Sequence, residues 1–143
     1  MIIPLKVGVI GVGHLGKYHA EKFAFNPKCE LIGVSDTNEE VGREIAGKYD
    51  CSYYRDFTEL IKKVDAISIA TPTTTHFNIS KIFLENSVHV LVEKPITANY
   101  AEATELAKIA KNRAIKLFVG HVERFNPCVV TLKNYLQKHQ NTI

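Results

Sequence analysis

A chain of 143 residues fits one domain and can bury a core without disulfides or metal. With 45% hydrophobic and 23% charged residues it has the balance of a soluble globular protein. The net charge of +3 is scattered rather than gathered into a basic stripe, which argues against a nucleic-acid partner. No apolar run approaches the ~18 residues of a membrane span, and no basic segment followed by a long apolar run opens the chain. Cys29, Cys51 and Cys128 lie far apart with no CxxC spacing, so reduced thiols in a cytoplasmic setting are expected. Six histidines without HxxxH or HxH spacing predict no metal site.

In chain order, short apolar runs alternate with longer amphipathic ones. Leu5 to Ile10 reads as a buried strand ending in glycine, and His14 to Phe25 has helical spacing. Glu30 to Ser35 is a second strand and Glu39 to Lys48 a helix. Cys51 to Tyr54 and Phe57 to Lys63 predict a short strand and a short helix. Ala66 to Ala70 is an apolar strand, followed by a helix from about Phe77 to Glu85. Val88 to Val92 is the fifth strand. The next helix begins near Asn99, where Asn99 and Glu102 form a capping arrangement. In it, Ala103, Leu106, Ala107, Ala110 and Ala114 trace one apolar face. Ile115 to Val119 is a sixth strand, and Cys128 to Lys138 a closing helix. Strict alternation predicts an α/β fold, a doubly wound parallel sheet with helices on both faces. Ligands of such sheets lie beyond the carboxyl ends of the strands. The residues that matter most therefore follow the strands: Gly11 to Gly13, Asp36, Thr71 to Thr73, Glu93 to Pro95, and Gly120 with His121.

Gly11-Val12-Gly13-His14-Leu15-Gly16 matches GxGxxG between a strand and a helix. Gly11 permits the tight turn, Gly13 lets a pyrophosphate approach the backbone, and Gly16 allows close helix–strand packing. The helix N-terminus, with His14 and Leu15 in its entry, offers unpaired N–H groups and a partial positive charge. Asp36 stands 20 residues after Gly16, where a carboxylate accepts from ribose hydroxyls and repels a 2′-phosphate. That favours NAD; Arg43, basic and nearby in sequence, leaves NADP open as a second cofactor.

Lys94, at the mouth of the cleft, can hydrogen-bond a substrate hydroxyl, steady a developing alkoxide or relay a proton. The residue alone reads equally well as a solvent-facing lysine. Strand-end position is the sole functional support for His121, which reads better as a buried, hydrogen-bonded histidine. Thr73, Thr74 and Thr75 fit a capping cluster as well as ligand contacts.

Taken in order, the glycine loop, Ala70-Thr71-Pro72-Thr73-Thr74-Thr75-His76, Glu93-Lys94-Pro95 and Gly120-His121-Val122-Glu123-Arg124-Phe125-Asn126-Pro127 resemble the Gfo/Idh/MocA family of NAD(P)-dependent oxidoreductases. The resemblance covers essentially the whole chain and implies a Rossmann domain. It implies that Lys94 is the catalytic-site lysine contacting the hydroxyl that becomes a carbonyl, with a cis peptide before Pro95 aiming it into the cleft. It also implies that Thr71, Pro72 and His76 line the cofactor pocket, and that Glu93 lies close to the cofactor. The stretch from Gly120 to Pro127 resembles members that oxidise sugar nucleotides, UDP-N-acetylglucosamine 3-dehydrogenases among them.

Members of this family carry a second α/β domain that holds most sugar contacts, a proton-accepting histidine and the interface of a homo-oligomer. Its counterpart is missing from the 143 residues. Residues 1–122 are expected to form the NAD(P)-binding domain and residues 123–143 the start of a connection to the other. The leading expectation is a dehydrogenase of a sugar or sugar nucleotide, present as its cofactor-binding domain. A non-catalytic NAD(P)-binding regulatory or redox-sensing module is the alternative. A domain binding S-adenosylmethionine shares a glycine loop, but Glu93-Lys94-Pro95 disfavours it.

Overall fold

The computed structural model describes residues 3–139, and its backbone follows the apolar runs. Strands β1 (Leu5–Ile10), β2 (Cys29–Ser35), β3 (Ser52–Tyr54), β4 (Ala66–Ile69), β5 (His89–Val92) and β6 (Leu117–Val119) form one sheet. Its order is β3-β2-β1-β4-β5-β6, and every neighbouring pair is parallel. This is the doubly wound order, with the switch point between β1 and β4.

Helices α1 (Gly16–Ala24) and α2 (Glu39–Lys48) pack on the β1–β3 half. Helices α3 (Thr73–Glu85) and α4 (Tyr100–Asn112) cover the other face of the β4–β6 half. Right-handed crossovers require this division, and it produces two cores. Val9, Val12, Ala20, Val34, Ile45 and Ala46 fill the first. The larger second core holds Leu60, Ile67, Ile69, Phe83, Leu84, Val90 and Leu106. Helix α5 (Pro127–Lys138) has Asn126 as its cap and buries none of its residues.

Boundaries differ from the sequence expectation where backbone chemistry overrides periodicity. Helix α1 starts at Gly16 rather than His14, because Gly11 to Leu15 are used in the turn. Helix α3 starts at Thr73, four residues before the expected Phe77: Pro72, at φ −58°, is set to lead into it. The stretch from Phe57 to Lys63 makes only a short 3-10 turn, Phe57–Leu60, capped by the Asp56 carboxylate. The expected apolar face of α4 is narrower than drawn. Leu106 and Ala110 are buried with Ile109 packed beside them, whereas Ala107 is exposed. Ala114 lies past the helix in the left-handed region, at φ 55°. The Asn99 side chain accepts from the amide of Glu102, as the capping pattern predicts.

The three cysteines are unpaired. Burial, helped by the charge of Asp50, pushes the half-buried Cys51 thiol up to about 11, whereas Cys128 is exposed on α5. An aromatic disulfide reagent at pH 8 should therefore label Cys128 rapidly and Cys51 only on unfolding, since the thiolate is the nucleophile. In urea titrations Leu106→Ala should cost about 2–5 kcal/mol and Ala107→Gln less than about 0.5.

Candidate cofactor site at the carboxyl edge of the sheet

Because all six strands point the same way, the residues after them meet along one edge. Pairing continues past the strands into this edge. The amides of Gly11, Ala70, Glu93 and Gly120 donate to the carbonyls of Ser35, Ile10, Ile69 and Val92 at 2.8–2.9 Å. Gly11, Thr71, Glu93 and Gly120 are thus held on consecutive strand ends.

The three loop glycines have different physical reasons. Gly11 is in the left-handed region at φ 77°, where only glycine is unstrained, and a Cβ there would lie 2.8 Å from the Ala70 carbonyl oxygen. A Cβ on Gly16 would fall 1.7 Å from the Gly11 carbonyl oxygen, so the helix starts directly on the turn. A Cβ on Gly13 would meet nothing within 4 Å: the space above it is open. Among the described residues, the amides of Gly13, His14 and Leu15 have no hydrogen-bond partner. They sit at the positive end of α1, whose entry has no side-chain cap. Bare amides, an open face and a helix dipole suit a pyrophosphate, so these residues fit a dinucleotide.

The Asp36 carboxylate is fixed from two sides. Oδ2 accepts from the Val12 amide and Oδ1 from the Asn38 amide, both at 2.8 Å. Its backbone carbonyl accepts from the Tyr53 hydroxyl at 3.0 Å. An ionised carboxylate has about four lone-pair sites, so two remain for a ligand.

At the other end, Lys94 is exposed and Glu93 is only 7% exposed. The Lys94–Pro95 peptide is cis. Glu93 accepts from the Lys94 amide at 3.1 Å through Oε2, and its Oε1 lies 3.1 Å from His19 Nε2. The other ring nitrogen of His19 meets Ser68 Oγ at 2.7 Å. A Cβ on Gly120 would come within 2.8 Å of Glu93 Oε1, so the glycine makes room for the carboxylate. A groove of about 1070 Å³ opens beside Lys94 and runs down the α1 side of β4–β6. Only its upper end, with Glu93, Lys94 and His121, adjoins the strand ends.

His76 lies behind this edge. It is 1% exposed, on the inner face of α3, with Nδ1 at 2.9 Å from the Pro95 carbonyl and Nε2 at 2.8 Å from that of Thr71. It ties the loop after β4 to the loop after β5 and does not face the cleft as a pocket-lining residue would. Thr71 is half-buried, Pro72 exposed, and Thr75 Oγ1 lies 2.8 Å from Thr71 Oγ1. His121 is exposed, not buried as expected. No cluster of metal-binding side chains occurs among the described residues, nor any helix long and apolar enough to cross a membrane.

Sequence reasoning missed His19 and Tyr53. The available signal for His19 was position: three residues after Gly16 and one before the buried Ala20, it lies on the helix face toward the sheet.

The family model for the NAD-binding Rossmann fold of the Gfo/Idh/MocA oxidoreductases matches residues 5–121. The chain belongs to this family. A UDP-N-acetylglucosamine 3-dehydrogenase from Acidithiobacillus ferrooxidans is 40% identical over 132 residues, 92% of this chain and 42% of the relative. Its crystal structure superposes with a TM-score of 0.87 over 93% of this chain and 42% of that one. An inositol 2-dehydrogenase from Rhizobium meliloti is 32% identical over 86% of the chain and 38% of its own length. GenD2 from gentamicin A biosynthesis, solved with NAD, is 31% identical with a TM-score of 0.80, over 84% and 35%. The Gfo/Idh/MocA chain described here thus spans about two fifths of the length of these relatives.

The glycines make a sharp contrast. Gly16→Ala should cost on the order of 3 kcal/mol or more, because the methyl collides with backbone that cannot yield. Gly13→Val should leave the urea midpoint close to that of the parent.

Proposed function

We propose that this chain binds NAD in preference to NADP, as the nucleotide-binding part of a dehydrogenase acting on a sugar or sugar nucleotide. One observation carries the reading: three bare amides over the open face of Gly13, with the Asp36 carboxylate fixed beside them by the Val12 amide. The amides would hold the pyrophosphate, with Gly11, Gly13, His14, Leu15 and Gly16 shaping the turn. The two free lone-pair sites of Asp36 would accept from the adenosine ribose hydroxyls, and its charge would repel a phosphate there.

At the reacting end Thr71 and Pro72 would flank the nicotinamide-side ribose. Bound nicotinamide would supply the hydride acceptor. The exposed ammonium of Lys94 would hydrogen-bond the substrate hydroxyl and steady charge on its oxygen as the C–H bond breaks. Glu93, buried and holding the Lys94 amide, would fix where that lysine starts. His76 would hold the two loops together from behind.

The sugar-nucleotide assignment draws on the 40% identity to a UDP-N-acetylglucosamine 3-dehydrogenase and on the stretch from Gly120 to Pro127. Because the relatives are more than twice as long, we place the nucleotide domain in residues 1–122. Residues 123–143, of which 140–143 lie outside the described residues, would lead to a further domain completing the substrate site and the oligomer.

Calorimetric titration tests the reading. NADH should bind with measurable heat, S-adenosylmethionine should give none, and NADPH should bind more weakly than NADH. Gly13→Val should weaken NADH at least about tenfold without unfolding the chain. Asp36→Asn should weaken it by about 3- to 10-fold, the worth of one ordinary hydrogen bond. No heat with either reduced coenzyme would overturn the proposal; equal affinity for both would overturn the preference alone.

A further inference from the structure

Two of the chain's four arginines converge on one carboxylate beside the acid end of the site. Glu39 is the first residue of α2, three positions after Asp36. Arg43, one turn later, donates from Nε to Glu39 Oε1 at 2.8 Å. Arg55, just past β3, brings Nη1 to 3.6 Å from Glu39 Oε2. The Arg43 guanidinium also lies 5.2 Å over the ring of Tyr53, the residue whose hydroxyl donates to the Asp36 carbonyl. Both guanidinium groups therefore face Glu39, three residues past Asp36, and that of Arg43 lies over the ring whose hydroxyl holds the Asp36 carbonyl.

We propose that Glu39 is a cofactor-specificity residue: by drawing Arg43 and Arg55 onto its own carboxylate it competes with a phosphate on the adenosine ribose for their guanidinium groups. The proposal rests on the reading of Asp36 as the ribose acceptor. Guanidinium forks are the side chains best suited to a phosphate monoester dianion, and they can satisfy it bidentately. Here one nitrogen of each is held toward a carboxylate, Arg43 Nε by a hydrogen bond and Arg55 Nη1 by an ion pair. The Arg43 hydrogen bond, then the charges of Arg43 and Arg55, hold the Glu39 carboxyl below the usual carboxylate range, so it is ionised wherever a dinucleotide would be bound.

Exposure sets the size of the effect. The side chains of Arg43, Arg55 and Glu39 are 66%, 79% and 47% exposed. Surface ion pairs of this kind are weak, so the arginines can redirect once the carboxylate is gone. The expected gain is a modest factor. Arg43 is also the residue that, by sequence alone, kept NADP open as a cofactor. The structure shows what a phosphate would compete with: its Nε is donated along its own helix to Glu39.

A thermodynamic cycle on the intact chain tests this. NADH and NADPH are titrated at low ionic strength into the parent, Glu39→Gln, the double variant Arg43→Gln with Arg55→Gln, and all three together. The same set is built on Asp36→Asn, so that very weak NADPH binding in the parent does not hide the change. Glu39→Gln should tighten NADPH by about 3- to 10-fold and move NADH by less than about twofold. Removing the two arginines should change NADPH by less than about twofold while Glu39 is present, and should abolish the gain when Glu39 is Gln. The gain should shrink in high salt. NADPH affinity indifferent to Glu39→Gln overturns the proposal. A gain that survives loss of both arginines overturns it too, because Glu39 would then act as a repelling charge and not by engaging them. A parent that binds neither coenzyme sinks the dinucleotide reading itself, whereas firm NADH binding with a flat cycle sinks only the role of Glu39.

Discussion

The contact on which the edge depends is the approach of Gly16 to the Gly11 carbonyl, so close that a methyl group would sit 1.7 Å from the oxygen. It makes α1 begin almost on top of the end of β1. Amides that would otherwise be satisfied by a longer loop are left bare there, at the positive end of the helix dipole. The neighbouring strands inherit the geometry. The turn at Gly11 lies against Ala70 and Thr71 after β4. The amide of Val12 points at the carboxylate after β2. One pair of glycines thereby couples three strand ends.

That coupling gives Asp36 two duties. Its carboxylate holds the glycine loop through Val12 and starts the turn into α2 through Asn38, while keeping two lone-pair sites for a ligand. The same carboxylate that shapes the loop is the one with lone pairs to spare. The same economy appears at the opposite end, where Glu93 anchors the Lys94 amide and meets His19 from the first helix. His19 stands one turn beyond the bare amides, so α1 joins the glycine loop at one end of the edge to Glu93 at the other.

The sheet, its six strands, the turn at Gly11 and the close packing at Gly16 were legible in the sequence because each is a backbone matter. Apolar runs, a left-handed turn and a missing Cβ are local properties, and they survive any arrangement of distant side chains. The capping of α4 by Asn99 was legible for the same reason. What was not legible depends on partners far away in sequence. His76 reads as a cleft residue until α3 is found to start at Thr73, which turns the ring inward between two carbonyls. His19 and Glu93 are 74 residues apart. The pairing of Arg43 with Glu39 is local, one helical turn, but the arrival of Arg55 on the same carboxylate requires the β2–β3 pairing. Ala107 failed as a core residue because α4 covers only the edge of the sheet, where a narrow stripe is enough.

Glu93 illustrates why such residues resist a reading by residue type. A carboxylate that is 7% exposed at the end of a central strand is expensive unless it is hydrogen-bonded on each oxygen. Here Oε2 takes the Lys94 amide and Oε1 the His19 ring, whose other nitrogen is held by Ser68. The remaining requirement is space, and Gly120 supplies it by having no side chain at the end of β6. Three elements, α1 and the segments after β5 and β6, therefore converge on one carboxyl group, and β4 supports it through the Ser68–His19 contact. Lysine follows immediately and is left exposed. Burying the glutamate fixes the main chain of its neighbour, and so the point from which the exposed lysine side chain departs is set by groups on three other elements.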